Sequence, residues 1–170
     1  MDTAVVISAA RDDGVDAEAI LAIDRACFAQ STVNVAAELE RPWAHMWVAR
    51  AGNDTSDPRA FLLAWVVADE LHILSVATLP NFRRQGLGRS LIQYAIDFAR
   101  RRRIRTILLE VRLSNWTAIR LYRAFGFSAT EIRPRYYADN FEDAIEMVLA
   151  LDPITGKIVP GHDEVRLEDA

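Results

Sequence analysis

The chain has 170 residues, 51% of them apolar, and carries 20 Lys+Arg against 24 Asp+Glu for a formal net charge of −4. That length suits one domain with a sizeable core and is short for two. The acidic balance argues against a nucleic-acid-binding body, even though Lys157 is the only lysine and the other basic residues are arginine, which suits forked contacts with phosphate or carboxylate.

Asp2 stands where a secretion signal would carry positive charge, and no apolar run reaches the length of a membrane span. The lone Cys27 excludes an internal disulfide and fits a reducing compartment; beside Phe28 on an apolar helical stretch it reads as a small buried side chain. The expectation is a soluble, cytoplasmic protein with no membrane partner.

In chain order, residues 5–9 read as a first strand and 11–14 as the turn after it. Asp16 can cap a helix in which Ile20, Ile23 and Cys27 recur at helical spacing. Ser31 or Thr32 can cap a second short helix ending near Arg41, because Pro42 disfavours helix at the residue before it. Residues 43–51 and 59–69 read as two strands around the polar hairpin loop 52–58. After a turn at Asp69 and Glu70, the apolar run 71–77 forms a fourth strand that leads through Pro80 and two glycines into a helix from Leu87 to about Arg102.

Residues 106–111 are apolar on both faces, as in a central strand covered on two sides. A helix over residues 115–125 follows, closed by Gly126 in a left-handed C-cap. Residues 128–133 and 144–151 form a last pair of strands joined through 134–143. Past Leu151 the segment holds Pro153, Gly156, Pro160 and Gly161 and reads as a poorly determined tail. The chain is thus α/β (α+β), a single domain over residues 1–151 followed by a C-terminal tail, 152–170.

Three places can carry chemistry. The loop Arg83-Arg84-Gln85-Gly86-Leu87-Gly88-Arg89 lies between a strand and a helix, so backbone N–H groups and the helix dipole converge on an anion such as a pyrophosphate. No Lys-Ser or Lys-Thr follows the second glycine, which excludes the nucleotide-triphosphate loop, and the spacing is not the three-glycine dinucleotide fingerprint, which weakens that reading too. Glu110 lies inside the apolar run 107–111, where desolvation raises a carboxyl toward the range of a general base; the alternative is a strand-end glutamate paired with Arg112 or another arginine. Asn115 and Tyr122 are seven residues apart, on one helix face. Tyr122 can protonate a thiolate leaving group or simply pack between helix and sheet. Glu70, with His72 two positions along the same strand, is a rival base. The three histidines show no ligand spacing, so no metal is expected, and residues 100–103 read as a solvated, arginine-rich helix end.

The order Arg-x-x-Gly-x-Gly between strand and helix resembles the GCN5-related N-acetyltransferase (GNAT) family. Residues 109–127, with 133–137 and 142–147, closely resemble its RimI-type branch, so the resemblance covers about residues 70–150. It implies the GNAT fold, a central mixed and mostly antiparallel sheet flanked by about four helices, with acetyl-coenzyme A (acetyl-CoA) in a cleft between splayed strands four and five. It implies Glu110 as proton acceptor and Tyr122 as proton donor. Cofactor contacts are implied at Val76, Ala77 and Thr78, at Arg83, Arg84, Gln85, Gly86, Leu87, Gly88 and Arg89, and at Asn115. Tyr136 and Tyr137 would grip the acceptor, with Glu70 at the substrate side.

The implied acceptor is a protein N-terminus, the N-terminal alanine of a small-subunit ribosomal protein, attacked directly in a ternary complex. Another protein terminus or a small amine stays open as acceptor. Outside enzymes, a coenzyme A-binding or RNA-binding module is the alternative; Glu110 and Tyr122 together argue against the first and the net charge against the second. Phe28-Ala29-Gln30-Ser31 departs from the Phe-Pro-Trp-Ser common in RimI-type chains, which marks the acceptor-side wall as a point of difference.

Overall fold

The computed structural model describes residues 4–11, 14–30, 33–52 and 57–167. Among the described residues there are eight strands, and the chain divides into two compact units, residues 1–66 with 73–97 and residues 67–72 with 98–170. The first unit contains β1 (Val5–Ala9), α1 (Val15–Cys27), α2 (Val35–Glu40), β2 (Ala44–Ala51), β3 (Pro58–Val67) and most of β4 (Glu70–Thr78). A 3-10 turn at Pro80–Phe82 and the greater part of α3 (Leu87–Arg101) complete it. Its strands follow the order β1-β2-β3-β4. β1 runs antiparallel to β2 with Ile7 opposite Ala49, and β2 antiparallel to β3 with Val48 opposite Phe61.

β2 is buried from Met46 to Arg50 and β3 from Ala60 to Ala64, so both read as continuous apolar runs because both of their faces are covered. Met46, Val48, Phe61 and Leu63 pack with Ile20 and Ile23 of α1, Val35 of α2 and Ala77 of β4. Each large aliphatic side chain in this cluster contributes about 1.5–3 kcal/mol of burial.

Asp16 is not the cap of α1: Gly14, at φ 80°, holds that position without a side-chain hydrogen bond. Asp16 is fully buried and accepts from Arg50 Nη2 at 2.6 and 2.7 Å and from the Arg11 backbone N–H at 2.8 Å. The reason is electrostatic. β2 carries Arg50 into the interior, and a buried guanidinium requires a counter-charge. Ser31 and Thr32 lie outside the described residues. Asn34 caps α2, its Oδ1 accepting from Ala37 N–H at 3.2 Å.

The second unit contains the end of α3, β5 (Thr106–Arg112), α4 (Trp116–Phe125), β6 (Ser128–Arg133), β7 (Ala144–Leu151) and β8 (Ile158–Val159). β7 runs antiparallel to both β5 and β6, and β8 joins β7 with Leu151 opposite Ile158. α4 begins at Asn115 and ends at Gly126, whose φ of 99° gives the left-handed cap that the sequence predicts.

β5 is not covered on both faces. Ile107, Leu109 and Val111 are buried, whereas Thr106, Leu108, Glu110 and Arg112 alternate with them on a half-open face. An all-apolar reading overlooks that Glu110 and Arg112 share that second face. Nor is the segment past Leu151 poorly determined through residue 167. Besides β8, Asp163 Oδ1 accepts from Ala129 N–H at 2.8 Å, the Glu164 N–H donates to the Ala129 carbonyl at 2.8 Å, and Arg100 Nε donates to the Gly156 carbonyl at 3.0 Å. These partners lie far back in the chain, so local composition does not reveal them.

Candidate active site

In the first unit, β4 ends at Thr78 and the chain passes through the 3-10 turn into the glycine loop. Arg83 Nε donates to the Thr78 carbonyl at 3.3 Å, and the Cys27 thiol donates to the same carbonyl at 3.3 Å. Arg84 and Gly86 take left-handed backbone angles, φ 60° and 81°, a kind of backbone that can turn successive N–H groups toward one anion. Leu87 is buried and anchors the loop, whereas Arg84, Gln85, Gly86 and Arg89 are exposed. A methyl group on Gly88 would stand 3.7 Å from Thr78 Oγ1, an ordinary contact, so the role of that glycine is not forced by crowding. This strand end, double left-handed loop and helix start can hold a phosphate through backbone donors, with Arg84 and Arg89 as flanking cations.

In the second unit, Glu110 lies on the half-open face of β5 directly opposite Glu146 of β7. Arg133 of β6 reaches both. Its Nη1 is 3.5 Å from Glu110, and its Nη2 is paired closely with Glu146, which also accepts from Thr130 Oγ1 at 3.0 Å. Of the two local readings of Glu110, the arginine-paired one describes its surroundings, with Arg133 in place of Arg112.

Tyr122 of α4 is enclosed, its ring against Phe127 at 5.7 Å. Burial, with the neighbouring Tyr137, pushes its phenol far above the ordinary range, so it keeps its proton at any physiological pH. Asn115 uses its Oδ1 to cap α4 through Ala118 N–H at 3.2 Å; its Nδ2 donors take no part in that cap.

Residues 134–143 carry Tyr136 and Tyr137, with ring centroids 5.2 Å apart. Arg112 fastens this loop: its Nη2 forks onto Asp139 at 2.8 and 2.9 Å, its Nη1 reaches Asn140 and Glu142, and its guanidinium lies 3.8 Å from the centre of the Tyr137 ring. Hydrogen bonds from Ser114, together with those from Asn140 and Arg112, hold the Glu142 carboxyl down to about 2. Burial pushes the Tyr137 phenol up to about 12. The nearby negative charge of Glu110 acts in the same direction on both tyrosines, which places the loop within electrostatic reach of that carboxylate.

Glu70 opens β4 and pairs with His72 at 2.7 Å. Glu110, Tyr136 and Tyr137 thus form one neighbourhood with Tyr122, while the contacts of Glu70 are with its own strand. Sequence reading gave no role at the site to Arg133, Glu146 or Glu142, and named Arg112 only as a partner for Glu110. A signal was present for one of them: Glu146 interrupts an otherwise apolar strand at a position of the same parity as the partly exposed Val148. Among the described residues no group of three or more His, Cys, Asp or Glu could hold a metal, and no helix is long and apolar enough to cross a membrane.

The model of the acetyltransferase (GNAT) family matches residues 17–127, and the chain belongs to that family. It is 45% identical over 94 residues to the [ribosomal protein bS18]-alanine N-acetyltransferase of Escherichia coli K12, a match covering 54% of this chain and 64% of that relative, so the aligned part spans under two thirds of the relative's length. The crystal structure of the ribosomal-protein-S18-alanine N-acetyltransferase from Escherichia coli superposes with a TM-score of 0.76 at 32% identity, covering 86% of this chain and 94% of that one. A GNAT acetyltransferase from Elizabethkingia anophelis with acetyl-CoA bound shares the fold at 18% identity and TM-score 0.69, covering 86% of this chain and 98% of that one.

Proposed function

We propose that the protein transfers acetyl from acetyl-CoA to the N-terminal α-amino group of a protein, and that its acceptor is the N-terminal alanine of a small-subunit ribosomal protein. The observation that carries this reading is the pairing, within one unit, of a carboxylate on the half-open face of β5 with a buried phenol on α4 that stays protonated. The identity to the bS18-alanine N-acetyltransferase supports the choice of acceptor.

Glu110 takes the proton from the amine. An α-amino group has a pKa near 8, so only a modest push makes it a nucleophile. Backbone N–H groups at Val76, Ala77 and Thr78 face the thioester carbonyl as its oxygen gains charge. Tyr122 gives its proton to the departing thiolate. The backbone of Gln85, Gly86, Leu87 and Gly88, with the side chains of Arg83, Arg84 and Arg89, holds the pyrophosphate, and Asn115 Nδ2 the pantetheine arm. Tyr136 and Tyr137 grip the acceptor's first residues, with Glu70 on the substrate side. Residues 1–151 serve as one acetyltransferase domain, and the site of action is cytoplasmic.

The experiment is acetyl transfer to synthetic peptides beginning Ala-Arg, Met-Ala and Ser-Glu, with spermidine alongside, followed by release of free coenzyme A. Selective transfer to the Ala-Arg peptide is the expected result. Transfer to spermidine alone would replace the protein acceptor with a small amine, and transfer to none would remove the proposal.

A further inference from the structure

The run Arg100-Arg101-Arg102-Arg103 ends α3 and reads, in sequence alone, as a solvated helix end. The second unit adds to it. The Leu151 N–H donates to the Arg105 carbonyl at 2.7 Å, and Arg100 Nε donates to the Gly156 carbonyl at 3.0 Å. The turn over residues 152–157 is thereby set beside the bend from α3 into β5. It brings Lys157, whose carbonyl accepts from the Asp152 N–H at 2.9 Å. Arg101, Arg102, Arg103, Arg105 and Lys157 are exposed. Two carboxylates lie among these residues. Asp69 pairs with Arg105 at 3.4 Å, and Asp152 accepts from the Ile154 and Thr155 N–H groups of its own turn. Arg100 included, six cations meet two acids, on a chain whose net charge is −4.

Arg103 stands where an arginine is costly. Its N–H donates to the Arg100 carbonyl at 3.1 Å and the Ile104 N–H to the Ala99 carbonyl at 3.0 Å, so α3 ends in a paired C-cap whose left-handed residue is Arg103, at φ 57°. Glycine fills that position without strain, as Gly126 does at the end of α4. Strain kept at an exposed position points to what the side chain does outside the fold. The Arg102 guanidinium lies over the Phe98 ring, 5.1 Å from its centre, an attraction that limits its freedom before any partner arrives.

We propose that this arginine patch binds the sugar-phosphate backbone of RNA. Guanidinium forks match phosphate oxygens, and closely spaced cations gain by releasing the counterions that a polyphosphate condenses. The choice of RNA among polyphosphates rests on the acceptor proposed above, a ribosomal protein, which is met together with RNA. Glu110 is five residues on from Arg105, about 16 Å along β5, so the patch lies toward the opposite end of the strand from that carboxylate. The enzyme is thus held on RNA by one end of the second unit while the other end works on the acceptor.

The test is fluorescence anisotropy of a labelled single-stranded RNA of about 12 nucleotides, with the full chain as wild type, as Arg103→Gly, and as Arg102→Gln combined with Arg103→Gly. Polyglutamate and phosphatidylserine vesicles serve as competitors, with thermal melting and acetyl transfer to the Ala-Arg peptide followed alongside. Arg103→Gly is expected to weaken RNA binding about tenfold, the low end for one charge-assisted hydrogen bond. The double variant should weaken it further and flatten the slope of log K against log salt by about 1.4, two lost phosphate contacts at ~0.7 each. Because glycine suits the cap, Arg103→Gly should melt no lower than wild type and acetylate the peptide equally fast.

A wild type that leaves the RNA unbound at about 50 mM salt overturns the inference. So does a double variant with wild-type affinity and slope, or a loss of binding that comes with a lower melting temperature in Arg103→Gly. Displacement of the RNA by polyglutamate or by vesicles at equal charge overturns it too, giving the patch to an acidic protein or a membrane. A wild type that binds RNA but acetylates no peptide overturns the acetyl-transfer reading and leaves the RNA site standing.

Discussion

Glu110 and Glu146 stand directly across from each other on adjacent strands, and the Arg133 guanidinium sits between them. Like charges so placed repel, and the shared cation offsets that repulsion. Arg133→Met should therefore destabilise the protein by about 1 kcal/mol, and adding Glu146→Met should recover most of that loss. A double-mutant cycle in urea measures the coupling; additive effects would show that Arg133 does not mediate between the two carboxylates.

Glu110→Gln keeps the shape of the side chain and removes the proton acceptor. Turnover should fall about 10²- to 10⁴-fold, with little change in acetyl-CoA affinity. The remaining rate should need more alkaline solution, where solvent takes the amine proton. Turnover equal to wild type would exclude Glu110 from the chemistry.

Tyr122→Phe keeps the buried ring and its contact with Phe127 while removing the hydroxyl. Turnover should drop at least tenfold with the fold intact by circular dichroism. Since the phenol's pKa is raised by burial, its proton is present at every pH below that raised value. The wild-type rate should show no falling limb from Tyr122 up to about pH 10. A limb near pH 8 that disappears in Tyr122→Phe would contradict the enclosed setting of the ring.

Arg112→Lys removes the fork onto Asp139 and the flat contact with Tyr137 while keeping the charge. KM for the peptide acceptor should rise more than kcat falls, and amide exchange across residues 134–143 should quicken. Unchanged exchange would mean the loop holds itself.

Asp16 is fully buried, and burial alone would raise its pKa; hydrogen bonds from Arg11 and Arg50, with the charge of Arg50, outweigh this and hold it below the ordinary value. A carboxyl lowered on folding stabilises fully above its unfolded pKa of about 4, and that contribution is lost as pH falls through the lower folded value. Urea midpoints should accordingly fall as acid is added below pH 4. Asp16→Asn should cost about 3–5 kcal/mol at pH 7 and flatten that dependence, since it strands Arg50 in the interior. An Asp16→Asn protein with the wild-type midpoint would mean that the pair is dispensable.

What the sequence makes legible is local. The strand, glycine loop and helix over residues 70–101, and the cap at Gly126, are encoded by neighbours a few positions apart, and the strand and helix order they imply agrees with the observed sheet and helices. The role of Asp16 was misread because its partner Arg50 lies 34 residues away, on a strand where an arginine interrupts an apolar run. The half-open face of β5 was hidden for a similar reason. Leu108 is apolar yet only partly covered, and which face a strand exposes is decided by what packs on it. Arg133 and Glu146 become partners of Glu110 only through the register of three strands.

The segment after Leu151 has one more effect. β6 closes one end of the strand order, and the chain from 161 to 164 comes back alongside it, Gly161 near Ser128 and Asp163 and Glu164 on the Ala129 backbone. An uncovered sheet margin offers unpaired N–H and carbonyl groups to any passing extended peptide, including a second copy of the same strand. By occupying those groups at Ala129, the chain's own end acts as a bumper against edge-to-edge stacking.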